Sequence, residues 1–419
     1  MSTIGIDFGT SFCSASWVNP ITQKPESIIF NETGTVKIPS VIFFPESGEP
    51  QVGLGPYQQI ESCGGFTEEQ QIPILKNTIQ SIKRKMRPKG VFRVNGREYS
   101  HVEIVAFILK KVKQQAEMSC KFQEPVGKLI LTHPVVFEEW KKEMLREAAL
   151  NAGFDEVTLL EEPVSAAIGY IRANQLEDAQ GILVYDFGGG TFDIAYVRIC
   201  EDGSYKLPLP TRGLASCGGD DIDMALYMEW EQRSQKEYHR SICLNKGELD
   251  LGFLSRCRKH KELLSNMPHA LLSEMLPYMP GHELERIQMD VNRQDFNRII
   301  HDVVQQTMEQ TAMVVQDIKA HEMPLDFVLL IGGSSRLPLV SEGLRKLMPS
   351  IKICTTGAVD TAVALGATYY HMDSLSQHRQ KRGVPGFCIY CGNPLTSLDR
   401  QCPSCGKDNY IYMSQHESH

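Results

Sequence analysis

Two stretches of the chain decide its fold, and they read Ile4-Gly5-Ile6-Asp7-Phe8-Gly9-Thr10-Ser11 and Leu183-Val184-Tyr185-Asp186-Phe187-Gly188-Gly189-Gly190-Thr191-Phe192-Asp193. Each is an apolar run that ends in an aspartate and is followed at once by a turn of small residues. A second apolar run follows each turn, at 13–18 and 194–199, so the pattern predicts two β-hairpins. Glycines let backbone amides approach a phosphate, and the aspartate at the neck can hold Mg²⁺ through water.

The repetition of this pattern at Asp7 and Asp186 indicates a core of two related lobes. Strands alternate with helical patterns, which is typical of an α/β protein. Two such hairpins facing each other would hold a nucleoside triphosphate from both sides. The sequence therefore predicts a nucleotide site between a first lobe at 1–180 and a second lobe at 181–372.

Composition excludes several other classes of protein. The 419 residues are 42% hydrophobic and 22% charged, which is ordinary for a globular protein with a large core. The net charge of −8 argues against a nucleic-acid partner for the lobes. No apolar stretch is long enough for a membrane helix, and a strand starts too early for a signal peptide, so we predict a soluble cytoplasmic protein. Arg84 and Lys85, in a short basic run, are expected to be surface charges.

Hydrophobic periodicity also predicts individual elements. In the first lobe it indicates helices at 74–85, 102–116, 138–152 and 164–170 and strands at 128–132 and 157–160. In the second lobe it indicates a mostly helical region at 220–290 that includes a helix at 249–266, a helix at 294–321, a strand at 327–331, and helices at 337–348 and 360–371. The polar, basic stretch 373–386 is expected to be a linker, and 408–419 a tail.

Five short motifs follow one another in an order that is more specific than any single motif. They are Asp7-Phe8-Gly9-Thr10-Ser11, Ser81-Ile82-Lys83-Arg84, Glu162-Pro163-Val164-Ser165-Ala166-Ala167, Asp186-Phe187-Gly188-Gly189-Gly190-Thr191-Phe192-Asp193 and Ile331-Gly332-Gly333-Ser334-Ser335-Arg336-Leu337-Pro338. The sequence has neither a P-loop nor the catalytic loop of protein kinases. Over residues 1–372 the set resembles the nucleotide-binding domain of the DnaK-type 70-kDa heat-shock chaperones, which has the two-lobed actin-like ATPase fold.

This resemblance implies a slow ATPase that uses Mg²⁺. Asp7 and Asp186 would organise Mg²⁺ through water, and Lys83 matches the catalytic lysine of the family. Glu162 matches a carboxylate near the metal, and Asp193 matches a carboxylate near the attacking water. The implied catalytic residues are Asp7, Lys83, Glu162, Asp186, Thr191 and Asp193.

The resemblance also implies which residues contact ATP or ADP. The phosphates would be bound by the two hairpin tips, at Gly9, Thr10, Ser11 and Phe12 and at Gly188, Gly189, Gly190 and Thr191. Gly218 and Gly219 match a glycine pair near the phosphates, or they form only a turn and helix cap. The nucleoside would be bound by Arg258, Lys261, Ser265, Gly332, Gly333, Ser334, Arg336 and Asp360.

The helix expected to contact adenine departs from the family pattern. The family has a glutamate first and an arginine one turn later, whereas this chain has Arg258 first and Glu262 four residues later. Residues four apart share one face of a helix. We therefore expect Arg258 to supply the guanidinium that stacks on the base, with Lys261 and Ser265 beside it.

Four cysteines near the C-terminus form a second kind of motif. Cys388-Ile389-Tyr390-Cys391-Gly392 is followed by Cys402-Pro403-Ser404-Cys405-Gly406, and two Cys-x-x-Cys pairs at this spacing predict a structural zinc ribbon at 387–407. The alternative interpretation is that these four cysteines form two redox pairs or disulfides instead of a zinc site. The peptide-binding domain that follows the ATPase domain in DnaK-type chaperones is not recognisable, so a protein partner or client is expected to bind through the lobe surfaces or the ribbon. RNA and the protein's own ATPase domain are the alternative ligands of the ribbon.

We therefore predict a chaperone-like molecular switch driven by ATP. The first alternative is an actin-like protein that polymerises on ATP and acts as a scaffold, because bacterial actin homologues share some of these motifs. The Ser-Ile-Lys-Arg context of Lys83 and the position of Arg336 favour the chaperone branch. The second alternative, a small-molecule kinase of the same fold, lacks an evident acceptor base.

Overall fold

The computed structural model describes residues 1–62, 68–176, 178–201, 203–243, 249–276, 285–355 and 361–380, together with Asn393, Cys402, Ser404, Cys405 and Lys407. The chain divides into two compact units, Met1–Ala367 and Thr368–His419. Both lobes predicted from the sequence lie mainly in the first unit, and each is built around its own β-sheet.

The first lobe alternates strands with helices, as the sequence predicted. Its strands are β1 (Ser2–Phe8), β2 (Phe12–Val18), β3 (Pro25–Ser27), β4 (Lys37–Pro39), β5 (Ile42–Phe43), β6 (Gln51–Val52), β7 (Thr78–Ile79), β8 (Val91–Val94), β9 (Arg97–Ser100), β10 (Val126–His133) and β11 (Glu156–Glu161). Its helices are α1 (Leu54–Ser62), α2 (Glu68–Lys76), α3 (Ile82–Lys85), α4 (His101–Ser119), α5 (Glu139–Asn151) and α6 (Glu162–Asn174). The main sheet has the order β11-β10-β1-β2-β3, and β4 also pairs with β2.

The second lobe repeats this plan. Its strands are β12 (Gly181–Phe187), β13 (Phe192–Ile199), β14 (Tyr205–Lys206), β15 (Arg212–Leu214), β16 (His269–Met275), β17 (Arg286–Asn292), β18 (Phe327–Ile331) and β19 (Lys352–Thr355). Its helices are α7 (Gly219–Tyr238), α8 (Leu251–Asn266), α9 (Arg293–Ala320), α10 (Pro338–Leu347) and α11 (Ala362–Gln380). The main sheet has the order β14-β13-β12-β18-β19, and β15 also pairs with β13.

The two main sheets have the same topology, which confirms the internal repeat. In each sheet the first strand forms an antiparallel hairpin with the second, β1 with β2 and β12 with β13. On its other side the first strand pairs in parallel with a later strand, β10 or β18, which in turn pairs in parallel with β11 or β19. Both predicted hairpins are therefore confirmed, and each aspartate lies at the end of a central strand.

Each lobe has its own hydrophobic core. The first is built on buried residues of β1, α4 and β10, such as Ile4, Ile104 and Leu131. The second contains Tyr185 and Trp230, both fully buried. Because the central strands are covered on both faces, they have near-continuous apolar sequences, and this made them visible in the sequence.

The predicted helix at 74–85 is wrong. The segment contains the end of α2, the short strand β7 and then α3. Ile79 pairs with Ile42 of β5, and Ser81 has a φ of 52°, which an α-helix does not allow. A tertiary strand pairing therefore overrides the helical periodicity at this point.

The region at 220–290 is less helical than predicted. Helices α7 and α8 are present, but β16 and β17 form an antiparallel hairpin after α8. Buried and exposed residues alternate along both strands, with Ala270 and Leu272 buried on β16 and Ile287, Met289 and Val291 buried on β17. This period of two was the sequence signal for the hairpin.

Two other boundaries differ from the prediction. Helix α6 begins at Glu162, two residues before the predicted start at 164, so the Glu162 carboxylate lies in the first turn of the helix. Helix α11 continues to Gln380, so the first part of the predicted linker at 373–386 is helical, and the remainder lies outside the described residues.

The two lobes interlock where α6 passes the beginning of α11. Ser165 Oγ donates to the carbonyl of Val363 at 2.6 Å, and Ser16 Oγ of β2 donates to the carbonyl of Ala364 at 2.6 Å. The backbones are in such close contact that a Cβ atom on Gly366 would lie 1.7 Å from the carbonyl oxygen of Ser165. Glycine is therefore required at this crossing.

We expect Gly366→Ala to destabilise the protein by about 2–3 kcal/mol, because the added methyl group forces the helices apart. Gly55→Ala is the matched control, since a Cβ atom on Gly55 would meet nothing within 4 Å, and we expect it to be neutral or slightly stabilising. Urea unfolding of both variants measures the difference. Equal midpoints would contradict the close crossing.

Candidate functional site

A cavity of about 390 Å³ lies where the tips of the two hairpins face each other. It brings together most of the residues that the sequence singled out. Those that line it are Asp7, Gly9, Thr10, Ser11, Phe12, Lys83, Glu162, Asp186, Gly188, Gly189, Thr191, Arg258, Lys261, Ser265, Gly332, Gly333, Ser334 and Arg336. Segments from both lobes, far apart in the sequence, thus converge on one site.

The remaining predicted residues are not among those that line this cavity. Gly190, Gly218 and Gly219 lie behind its wall, and Asp193 is directly opposite Asp186, which lines it. Asp360 lies outside the described residues.

The hairpin tips are so close that a side chain on the glycines of the second tip would collide with side chains of the first. A Cβ atom on Gly189 would lie 2.3 Å from Ser11 Oγ, and one on Gly190 would lie 2.5 Å from Thr10 Cγ2. Ser334 Oγ donates to the carbonyl of Gly188 at 2.9 Å, which ties the second tip to the turn after β18. Bare backbone from both lobes thus surrounds the space between the tips.

The glycine pair before α7 supports the second hairpin tip from behind. The amide of Gly219 donates to the carbonyl of Gly188 at 3.0 Å, and that of Asp220 donates to the carbonyl of Gly189 at 2.7 Å. A Cβ atom on Gly218 would lie 2.6 Å from the carbonyl carbon of Gly189. Gly218 and Gly219 therefore act as a spacer that fixes the tip.

A buried ion pair lies at the deep end of the cavity. Lys83 Nζ donates to Glu162 Oε1 at 2.6 Å, and the two side chains are only 4% and 6% exposed. Burial opposes the charged form of Lys83, but attraction from Glu162, Asp7 and Asp186 outweighs it, so the pKa of Lys83 is raised. The ammonium group stays protonated, held by the first residue of α6.

Two further carboxyl groups face this pair from the second hairpin. Asp186 and Asp193 are directly opposite each other on β12 and β13. Burial, followed by repulsion from Glu162, raises the pKa of Asp186 well above its ordinary range. Burial and Glu162 likewise raise the pKa of Asp193 to about 7, although Lys83 opposes the rise.

The deep end of the cavity fits a hydrated Mg²⁺ ion. Asp7, Glu162, Asp186 and Asp193 outnumber the single ammonium group, so a divalent cation would relieve their mutual repulsion. Asp193 Oδ1 is buried without a hydrogen-bond partner among the described residues. Within the same part of the chain, no three His, Cys, Asp or Glu side chains are grouped closely enough to bind a metal directly. The aspartates would therefore hold the ion through its waters.

The opposite end of the cavity is formed by one face of α8. Arg258 donates to Asp220 Oδ1 and Asp223 Oδ2, both at 3.1 Å. Lys261 Nζ lies 2.7 Å from Asp223 Oδ1 and 3.0 Å from the carbonyl of Gly219. Burial disfavours the charged Arg258, but Asp223 and Asp220 overcome this and raise its pKa. The guanidinium that we expected to stack on a base is thus fixed by two carboxylates.

The expectation that Arg84 is a surface charge is wrong. Its side chain is 19% exposed, with Nη2 at 3.2 Å from Asp221 Oδ1 and Nη1 at 3.7 Å from Asp220 Oδ2. Ser81 Oγ also donates to Asp220 Oδ2 at 2.9 Å. The segment that carries Lys83 is therefore joined to the second lobe, whereas Lys85 is exposed as expected.

Sequence reasoning missed several residues that line the cavity, namely Cys13, Ser14, Lys37, Asp220, Asn266, Ile331, Leu337 and Val363. Ser14 and Lys37 became neighbours only through the pairing of β2 with β4. On β2 the polar residues Ser14 and Ser16 alternate with apolar residues, which was the available signal, but β4 has only three residues.

The predicted zinc ribbon falls mostly outside the described residues, which include neither Cys388 nor Cys391. Of the other two cysteines, Cys402 is buried and Cys405 is exposed. The amide of Cys402 donates to the carbonyl of Lys407 at 3.0 Å, so the second Cys-x-x-Cys pair lies in a closed turn. The part of the chain that can be described contains no metal cluster.

Two lobes with matching sheets and facing hairpin tips define the actin-like ATPase fold. The chain belongs to the Hsp70 family, because residues 3–374 match the family described as Hsp70 protein. It is 31% identical over 366 residues to the chaperone protein DnaK of Thermotoga neapolitana. It is 30% identical over 374 residues to the chaperone protein DnaK of Thermosipho melanesiensis. Each match covers 87% of this chain.

The chain spans 58% of the length of these two relatives, and the match lies within the part that contains both lobes. Members of the family are ATPases. The family match confirms the predicted resemblance to DnaK-type chaperones for the ATPase lobes and does not favour the actin-like scaffold. None of the helices that the structure describes is both long and apolar enough to span a membrane.

We expect Asp193→Asn to stabilise the metal-free, nucleotide-free protein above pH 7. Folding raises the pKa of this carboxyl group from 3.8 to about 7, so the free energy of unfolding falls as pH rises through that range. Asparagine does not ionise, so the variant keeps this part of the free energy of unfolding. The loss avoided amounts to about 4 kcal/mol above pH 7.

Thermal unfolding of both proteins in EDTA from pH 5 to pH 8 measures the effect. The difference in Tm should widen up to about pH 7 and then stay constant. The exposed Asp155→Asn is the control and should show no widening. A difference independent of pH would contradict the raised pKa.

Proposed function

We propose that this chain binds Mg-ATP in the cavity between the hairpin tips and slowly hydrolyses it to ADP and phosphate. The observation that carries the proposal is the buried Lys83–Glu162 pair, which lies among Asp7, Asp186 and Asp193 where both hairpins end. A positive group fixed beside two glycine-rich tips is suited to stabilising the charge that develops on a terminal phosphate.

In the proposed reaction, water attacks the γ-phosphorus in line with the bond to the β-phosphate oxygen. The tips, with Gly9–Phe12 and Gly188–Thr191, would donate backbone and hydroxyl hydrogen bonds to the phosphate oxygens. Lys83, protonated and held by Glu162, would bind a γ-phosphate oxygen and orient the water. Asp193, with its pKa of about 7, is suited to accept the proton of that water.

Mg²⁺, when bound, would neutralise charge on the β- and γ-phosphates. Asp7 and Asp186 are the residues we propose to hold its waters. Glu162 would interact with the ion only indirectly, because its carboxylate already accepts a hydrogen bond from Lys83.

The nucleoside would lie between α8 and the turn after β18. Gly332, Gly333, Ser334 and Arg336 line this end from one side, and Lys261 and Ser265 line it from the other. Because Asp220 and Asp223 fix Arg258, we propose that it presents the face of its guanidinium to the base without moving. The place of Asp360 in this pocket stays a prediction.

We propose that the two lobes contact each other differently when ATP is bound and when ADP is bound, as in a molecular switch. Arg84 of the first lobe contacts Asp220 and Asp221, which directly follow the glycine pair that supports the second tip. If the second tip moves when the γ-phosphate is lost, the contact between Arg84 and these two aspartates would therefore change. The curated relatives are named chaperones, and a chaperone-like role with a protein client is the function this supports best. The cytoplasmic location stays a prediction.

We also propose that the two Cys-x-x-Cys pairs at 387–407 bind one structural Zn²⁺ and recruit a partner. The turn between Cys402 and Lys407 supports this, because zinc knuckles are short turns closed by backbone hydrogen bonds. So short a segment buries little apolar surface, and metal binding would supply its folding energy.

We expect Lys83→Ala to bind ATP but to lose single-turnover hydrolysis by on the order of 10²-fold, because an electrostatic catalytic contribution is removed. Lys85→Ala is the matched control, since it deletes an exposed lysine from the same short helix. Quench-flow assays of ADP formation measure both variants. Unchanged turnover in Lys83→Ala would refute the assignment of this lysine.

We expect metal analysis to find about one Zn²⁺ for each chain, because four thiolates complete a tetrahedral site. Cys402→Ser should lose most of this zinc and keep ATP binding. Cys200→Ser, which changes a cysteine of the second lobe, should keep both. Zinc that is absent from the unaltered protein, or unchanged by Cys402→Ser, would rule out the ribbon.

A further inference from the structure

A row of three polar side chains crosses the sheet of the first lobe at the floor of the cavity. Asp7 of β1 is directly opposite Ser14 of β2, and Ser14 is directly opposite Lys37 of β4. Residues directly opposite one another on neighbouring strands project from the same face of a sheet. All three side chains line the cavity, so the row presents a carboxylate, a hydroxyl and an ammonium group, in that order, to a ligand.

The hydroxyl in the middle of the row has no hydrogen-bond partner within the described part of the chain. Ser14 is 2% exposed, and its Oγ atom has no hydrogen-bond partner among the residues that the structure describes. Leaving a buried hydroxyl without a hydrogen bond is energetically unfavourable. A ligand oxygen in the cavity, within reach of the hydroxyl, would supply the missing hydrogen bond.

Lys37 is placed at the first hairpin tip by its strand and by an aromatic ring. Its ammonium nitrogen lies 5.6 Å from the centre of the Phe12 ring, and Phe12 is the last residue of that tip. The Phe12 ring in turn packs against Tyr57 of α1, with 5.7 Å between the ring centres. The ammonium group of half-buried Lys37 thus lies over the ring of Phe12, at the end of the tip.

We infer that Ser14 and Lys37 bind the phosphate chain of the nucleotide, in addition to the hairpin tips and Lys83. The inference rests on the proposed nucleotide site. Phosphate oxygens are strong acceptors for both an ammonium group and a hydroxyl. With a cation held near Asp7 at one end of the row and Lys37 at the other, a phosphate above Ser14 would contact a positive charge on each side.

Calorimetric titration with Mg-ADP and with a non-hydrolysable Mg-ATP analogue tests the inference. Competition by adenosine, which has no phosphate, measures the affinity of the part of the cavity that binds the nucleoside. We expect Lys37→Met to weaken both nucleotides by about tenfold, since a charge-assisted contact is lost. Ser14→Ala should weaken them by about threefold. Adenosine should bind equally to all three proteins, because it has no phosphate.

Two comparisons separate a phosphate contact from a change in structure or in net charge. Lys24→Met removes an exposed lysine of the same lobe and should change no affinity. Lys37→Arg keeps the charge and should retain most of the nucleotide affinity. The double variant of Ser14 and Lys37 should lose less than the two single losses combined, since both groups bind the same ligand atoms.

The outcomes distinguish this inference from the proposed function. Nucleotide binding by the unaltered protein with no loss in Lys37→Met would overturn the inference alone. Equal losses for adenosine and for the nucleotides would also overturn it, because they would show a disturbed pocket. An unaltered protein that binds neither nucleotide would overturn the proposed function, and the inference with it.

Discussion

The ion pair between Lys83 and Glu162 is the interaction on which the rest of the site depends. Neither partner could be buried alone, because an isolated charge at this depth would neutralise or draw in water. Together they fix α3 against the start of α6, beneath the ends of both hairpins. Burial and repulsion from Glu162 raise the pKa values of Asp186 and Asp193, and a divalent cation bound here would relieve that repulsion.

The second constraint is the contact of bare backbone with bare backbone. Gly189 and Gly218 lie where a methyl group would collide with a neighbouring chain segment, and Gly366 does the same at the crossing of α6 and α11. Gly189 lies against the Ser11 side chain of the first lobe, and Gly218 packs on the backbone of Gly189 within the second lobe. A phosphate chain is narrow and rich in acceptors, so a space surrounded by amide and hydroxyl groups suits it.

The reversed order of charges on α8 is explained by the residues that Arg258 contacts rather than by its spacing along the helix. Arg258 occupies a position where we expected a base-stacking group, and two aspartates at the start of α7 fix it. Asp220 also accepts from Ser81 and faces Arg84, so one carboxylate joins the nucleoside end of the cavity to the first lobe. The aspartates at the start of α7 thus compensate for the reversed order of the charges on α8.

The sequence by itself determined the two hairpins, the buried strand β18, the long helix α9 and most of the residues that line the cavity. Each of these is a local pattern, an apolar period or a motif whose residues are adjacent in the chain. Only the tertiary structure decided that 74–85 is interrupted by β7 and that Ser14 and Lys37 share a row with Asp7. These features depend on which strand pairs with which, and that choice is made by the burial of surfaces from distant segments, which no local period records.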